Sequence, residues 1–167
     1  MLVLLQMAAS PWRACAVSVP NFGFETPSIP SGDDGYEYNP SGNSWTFSGS
    51  TGNGSGLVGN GGGFSNPNAP QGVQAAFVQE YGTISQAIPG FTPGTSYMIS
   101  FFAAERPGND QSWNLTVNGT VIASFDPGNS ANNYAKYTAT FTATAATQTV
   151  AFVGTDEIGR ASCRERV

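Results

Sequence analysis

Histidine is absent from the 167 residues, which removes the side chain most used as a general base near neutral pH and the commonest nitrogen ligand for metals. Catalytic triads and zinc hydrolase centres are therefore not expected. Charge is scarce as well: only 10% of residues are charged, against roughly 25% in ordinary soluble domains. Six basic residues against eleven acidic ones leave a net charge of -5. Little is available to neutralise a phosphate backbone or an anionic membrane surface, and no nucleic-acid partner is expected. No stretch reaches the roughly 20 apolar residues of a transmembrane helix. The two cysteines, Cys15 and Cys163, lie at the extreme ends, where they could tie the termini together or stay apart.

What is present suits many short strands joined by turns. Hydrophobic residues make up 40% of the chain, and Gly, Ser, Thr, Asn and Pro are plentiful; the length fits one domain with a real core. Tyr97, Ile99, Phe101 and Ala103 alternate with Met98, Ser100, Phe102 and Ala104, which predicts a central strand covered on both sides near its end. Trp113, Leu115 and Val117 alternate with polar residues up to Asn118-Gly119, the strongest short hairpin signal, with Thr120 to Phe125 returning. Tyr137, Ala139 and Phe141, then Val150 and Phe152, give two more strands with a threonine-rich outer face. Val73 to Glu80 and Thr83 to Ile88 read as an earlier pair separated by Tyr81-Gly82. Between Ser28 and Pro70 the composition is that of disordered chain, but Trp45-Thr46-Phe47 and Leu57-Val58 fit short strands between long loops. No helical period is found, and eight to nine strands predict an all-β antiparallel sandwich or jelly roll.

The two ends differ from this body. The first 16 residues hold a short apolar run, Leu2 to Leu5, and the small-residue pattern Ala14-Cys15-Ala16. That is the pattern preceding signal-peptidase cleavage, without the basic n-region, so the segment is a signal peptide or a mis-started leader. Glu157 to Val167, EIGRASCRERV, carry Arg160, Arg164 and Arg166, half of the basic residues. This string resembles the in-frame translation of a sequencing adapter and is read as a non-native tail. The expected domain is then residues 17–156, C-terminally truncated and lacking its last strand, which would leave a neighbouring strand edge open.

Candidate binding residues follow from what a sugar needs: an aromatic platform under the ring and polar groups for its hydroxyls. Trp45, Tyr36, Tyr81 and Trp113 are the stacking candidates, and Arg106, Gln74, Asn109 and Gln111 the polar ones. Trp45 alternates with Phe47 and Trp113 with Leu115, which also fits core packing. Tyr36 and Tyr38 are expected in a polar loop, where they are freer to meet a ligand. Arg106 ends the most apolar strand and precedes Pro107-Gly108, a rim position suited to a ligand or to an ion pair with Glu105 or Glu80. Paired carboxylates are the remaining route to catalysis, yet nothing in the spacing of Glu80, Glu105 and Asp110 makes them converge. The chain is expected to bind rather than catalyse.

The order VPNFGFE, WTFSG, APQGVQAAFVQ, ISQAI and YMISFFAAERPGN, followed by a valine-rich strand ending in Asn-Gly, resembles the galactose-binding-like, carbohydrate-binding-module-like jelly rolls of bacterial surface proteins. The likeness is to exported proteins carrying the PEP-CTERM signal and covers about Val17 to Asp156. It implies a secreted or cell-surface module that adheres to polysaccharide or extracellular matrix. The alternatives are a structural or protein-interaction domain without a sugar site and an accessory domain of a polysaccharide-degrading enzyme. In related modules the N-x-x-F-E loop helps bind a structural calcium with an acidic residue of the last strand. Asn21, Phe24 and Glu25 match that loop, so the resemblance implies Glu25 and Asn21 as metal ligands, within the six to eight oxygens that calcium takes. Asp33-Asp34 with Glu37 form a second acidic cluster whose spacing lacks an EF-hand pattern.

Overall fold

The computed structural model describes residues 6–9, 16–30, 35–106, 111–126 and 133–155. Asn109 and Asp110, Asp33 and Asp34, both cysteines and the C-terminal tail lie outside the described residues. Eleven strands and no helix are found among the described residues: β1 (Gln6–Ala9), β2 (Tyr36–Tyr38), β3 (Thr46–Ser50), β4 (Asn53–Gly59), β5 (Gln74–Val78), β6 (Thr83–Pro89), β7 (Ser96–Ala103), β8 (Trp113–Val117), β9 (Thr120–Phe125), β10 (Ala135–Thr142) and β11 (Thr147–Gly154). The strands beyond the eight to nine expected include β1, in the leader, and β2, in the polar stretch.

One sheet runs β1-β7-β10 and the other runs β2-β4-β3-β6-β11-β8-β9, with β5 added to β4. Every pairing is antiparallel. The long sheet turns a corner at β3. Thr46 to Ser48 pair with β6, whereas Gly49 and Ser50 pair with β4. Glycine is required at the corner: Gly49 has φ 100°, and a Cβ there would lie 2.4 Å from the Asn53 carbonyl oxygen. Past the corner, β2, β4 and β5 form a second patch of sheet.

The core is the apolar half of each alternation. Tyr97, Ile99, Phe101 and Ala103 of β7, with Ala139 and Phe141 of β10, pack on Ile84, Ile88, Trp113, Leu115, Val150 and Phe152 of the opposite sheet. β7 is the middle strand of its sheet, and Ala104 and Glu105 beyond it are buried too. Asn118 and Gly119 both have positive φ, the geometry of a tight two-residue hairpin turn, and they join β8 to β9 in register from Val117↔Thr120. An extra residue in β9 opposite Leu115 and Thr116 makes a bulge, which twists an uncharged edge strand away from flat pairing.

The expected pair on either side of Tyr81-Gly82 exists as two strands, but they do not pair with each other. β5 pairs with β4, while β6 pairs with β3 and β11. The reason lies in the turn: Glu80 has φ 49°, and the Gln79 N–H is taken by Gly54 O at 2.8 Å. The chain therefore leaves one patch of sheet and enters another instead of folding back on itself.

Candidate functional site

The register of β2, β4 and β5 sets two rows of residues on one face. Tyr36 lies opposite Val58, which lies opposite Ala75; Tyr38 lies opposite Gly56, which lies opposite Phe77. Gly56 has no side chain, so the rings of Tyr38 and Phe77 meet across it, edge to face at 4.9 Å. Phe64, from the loop between β4 and β5, packs edge-on against Phe77 at 4.9 Å and stacks with Tyr36 at 4.8 Å. Val58, Ala75 and Phe77 thus form a second apolar cluster on this face, apart from the main core, with Tyr38, Phe64 and Tyr134 packed on it.

Arg106 completes the group. Its guanidinium carbon stands 5.3 Å from the centre of the Phe64 ring, a cation-π distance. No ion pair of Arg106 is found among the described residues. Tyr36 is 39% exposed, so the array presents an open phenol ring, the half-buried ring beneath it and a cation with no ion pair among the described residues.

Burial raises the pKa of Tyr38, opposed in part by the nearby Arg106 charge. Tyr134 is more deeply held, and burial pushes its phenol well above the usual 10.0. The folded chain keeps that proton at a pH where the unfolded chain releases it. The contribution of this group to stability is therefore full below pH 10 and falls as pH climbs above it. Tyr134→Phe is expected to flatten part of that fall in melting temperature measured between pH 9 and 11, a window spanning the ordinary tyrosine pKa of about 10.

The remaining candidates are placed as follows. Trp45 is 3% exposed, its ring 4.9 Å from Phe24 and its indole N–H donated to Asn21 O at 3.0 Å. Trp113 is buried among Phe101, Phe125 and Phe152. Gln74 is 1% exposed, and its amide is spent on the fold: Nε2 donates to Phe24 O and Pro27 O, and Oε1 accepts from Ile29 N. Gln111 accepts from Glu80 N at 2.6 Å and donates to Ser112 O at 2.7 Å. Tyr81 is well exposed at the turn after β5. Among the described candidates, Tyr36 and Arg106 share one site, both against Phe64. Phe64, Phe77 and Tyr134 were not among the residues singled out in the sequence. A signal for Phe64 exists: it is the single aromatic in the glycine- and asparagine-rich segment 59–73.

At the metal candidates, Asn21 is committed to its own loop, Nδ2 donating to Thr26 O and Oδ1 accepting from Thr26 N. Glu25 Oε1 accepts from Val73 N at 3.1 Å. No group of three or more His, Cys, Asp or Glu comes together among the described residues, and these two side chains by themselves fall short of a six- to eight-oxygen cage.

A cleft of about 260 Å³ has an apolar floor of Val117, Ile122 and Phe141. Its polar rim is self-satisfied: Asn118 Nδ2 donates to Gln148 Oε1 at 2.6 Å and Gln148 Nε2 to Ala145 O at 2.6 Å. The aromatic array differs in holding a cation with no ion pair among the described residues.

The molecule is thus an antiparallel β-sandwich in which the exposed Tyr36 of the second patch of sheet stacks on Phe64, with the half-buried Arg106 against the same ring. By sequence the chain belongs to the family described as protein of unknown function (DUF642), which matches residues 18–163. No curated protein matches it. Among 13 solved chains that match is a cyclase from Fischerella sp. TAU, crystallised in complex with 4-(1H-indol-3-yl)butan-2-one. It is similar with a TM-score of 0.62 at 16% identity over 86% of this chain and 90% of that chain, a likeness that bears on the fold alone. No helix among the described residues is long and apolar enough to cross a membrane.

Proposed function

We propose that this chain is a non-catalytic carbohydrate-binding module that works outside the cytoplasm, adhering to polysaccharide of an envelope or extracellular matrix. The observation that supports this reading is the exposed ring of Tyr36, stacked on Phe64, with the guanidinium of Arg106, which forms no ion pair among the described residues, against the same phenyl ring. A pyranose lays its apolar face on such a ring, and a neighbouring fork of N–H donors takes its hydroxyls. The scarcity of charge and the sandwich architecture agree with a module of this kind.

The test is retardation in gels cast with a panel of polysaccharides. Retention of the folded chain is expected, and Tyr36→Ala should weaken it about tenfold, about 1.4 kcal/mol, at unchanged melting temperature. A folded chain retained by none of the polysaccharides overturns the reading. It would favour a structural or protein-contact domain, in keeping with the way Trp45 and Gln74 are spent on the fold. Hydrolysis of any polysaccharide by the chain would move the case to an enzyme. Calcium at Glu25 and Asn21 is a separate proposal carried by the jelly-roll resemblance. It predicts a melting temperature raised by calcium and lowered by chelator, an effect lost in Glu25→Gln; indifference to both removes the ion.

A further inference from the structure

We infer that the glycan taken by this platform is acidic, a polysaccharide bearing uronic-acid carboxylates, and that Arg106 selects it; the inference rests on the carbohydrate-binding reading above. Between residues 17 and 156 the chain has two basic side chains, Arg106 and Lys136. The fold brings them to one end of one strand pair. β7 and β10 are antiparallel with Ala103 opposite Ala135, so the chain runs out of β7 towards Arg106 where β10 begins. Lys136 stands there, exposed, two residues after Tyr134, which packs on the Phe77 cluster. Neither cation forms an ion pair among the described residues.

Two of the described carboxylates are turned elsewhere. Glu37 lies opposite Leu57, on the alternate face of β2 from Tyr36 and Tyr38, and Glu105 is 2% exposed, its charge felt by Tyr137. A half-buried guanidinium resting on Phe64 gives up part of its hydration and receives no anion in return from the described residues. Its planar edge matches a carboxylate in bidentate fashion, and such charge-assisted bonds are roughly twice as strong as those to neutral hydroxyls. The net charge of -5 does not oppose this at close range, because screening over about 8 Å at physiological salt leaves the local pair dominant.

The experiment compares the full chain on polygalacturonate and alginate with the same polymers after reduction of their carboxyls to alcohols, which keeps the sugar rings and linkages. Retention on the native polymers, at least about tenfold weaker on the reduced ones, is expected. Arg106→Gln should erase that preference while keeping the melting temperature and the residual retention through Tyr36, and Arg106→Lys should restore it in part. Equal retention on native and reduced polymers overturns the acidic-ligand inference and leaves the carbohydrate reading standing. Retention on none of them, or on neutral glycans alone, overturns it as well; the first of these also removes the carbohydrate reading for the platform, and the second keeps it.

Discussion

Phe101→Ala is expected to lower the free energy of unfolding by about 3–5 kcal/mol, the range for truncating a fully buried phenylalanine. The ring of Phe101 is buried at the centre of the sandwich. It meets Trp113, Phe125 and Phe152 edge to face at 5.3 to 5.4 Å and stacks on Tyr137 at 5.7 Å. Both sheets contribute to this contact, so the cavity cannot close by moving one side chain. Against a typical total of about 5–15 kcal/mol, the loss should shift the urea midpoint strongly at unchanged slope. A midpoint within error of the parent chain would show that these rings do not carry the core.

Gly56→Ala is expected to cost about 1–3 kcal/mol, the usual range for overpacking, and to act on the platform beyond its cost to stability. A Cβ at this position would lie 2.0 Å from the Glu37 carbonyl oxygen and 2.8 Å from Cζ of Phe77. The ring end of Phe77 can give way, but the Glu37 oxygen belongs to the backbone of β2, paired with β4 through Tyr36↔Val58 and Tyr38↔Gly56. The cheapest relief is to lift β2 away, taking Tyr36 and Tyr38 with it. Hydrogen exchange should quicken at residues 36–38 more than at residues 113–117 of the far hairpin, and polysaccharide retention should fall at temperatures where the rest of the chain stays folded. Uniform quickening across the sandwich would point to general destabilisation instead.

The candidate site was legible only as separate residues. Tyr36 and Arg106 stood out because an aromatic in a polar stretch and a lone cation at the end of an apolar strand are unusual in themselves. Their meeting on Phe64 was not legible, since it joins residues far apart in the chain through a loop with no periodic signal. Tyr36 and Tyr38 lie on a strand rather than in a loop because β4 offers them a partner, which composition cannot reveal. Gln74 shows the opposite failure. An amide near the start of a strand suits a hydroxyl ligand, yet the backbone of Phe24, Pro27 and Ile29 needed the same groups, and a buried polar group left unmade is the costlier outcome.

The sequence by itself determined the all-β class, the faces of β7, β8, β10 and β11 that turn inward, and the turn at Asn118-Gly119. These are local properties: alternation follows from the pleat, and left-handed turn residues act over four positions. The tertiary structure alone decided which strands become neighbours, that the chain crosses from β5 to β6 without pairing them, and that β3 turns the corner on Gly49. It also decided that a second patch of sheet gathers Tyr36, Tyr38, Phe64 and Arg106. Partner choice among strands of similar pattern depends on burying two opposing faces at once, and that requirement exists only when the whole chain is assembled.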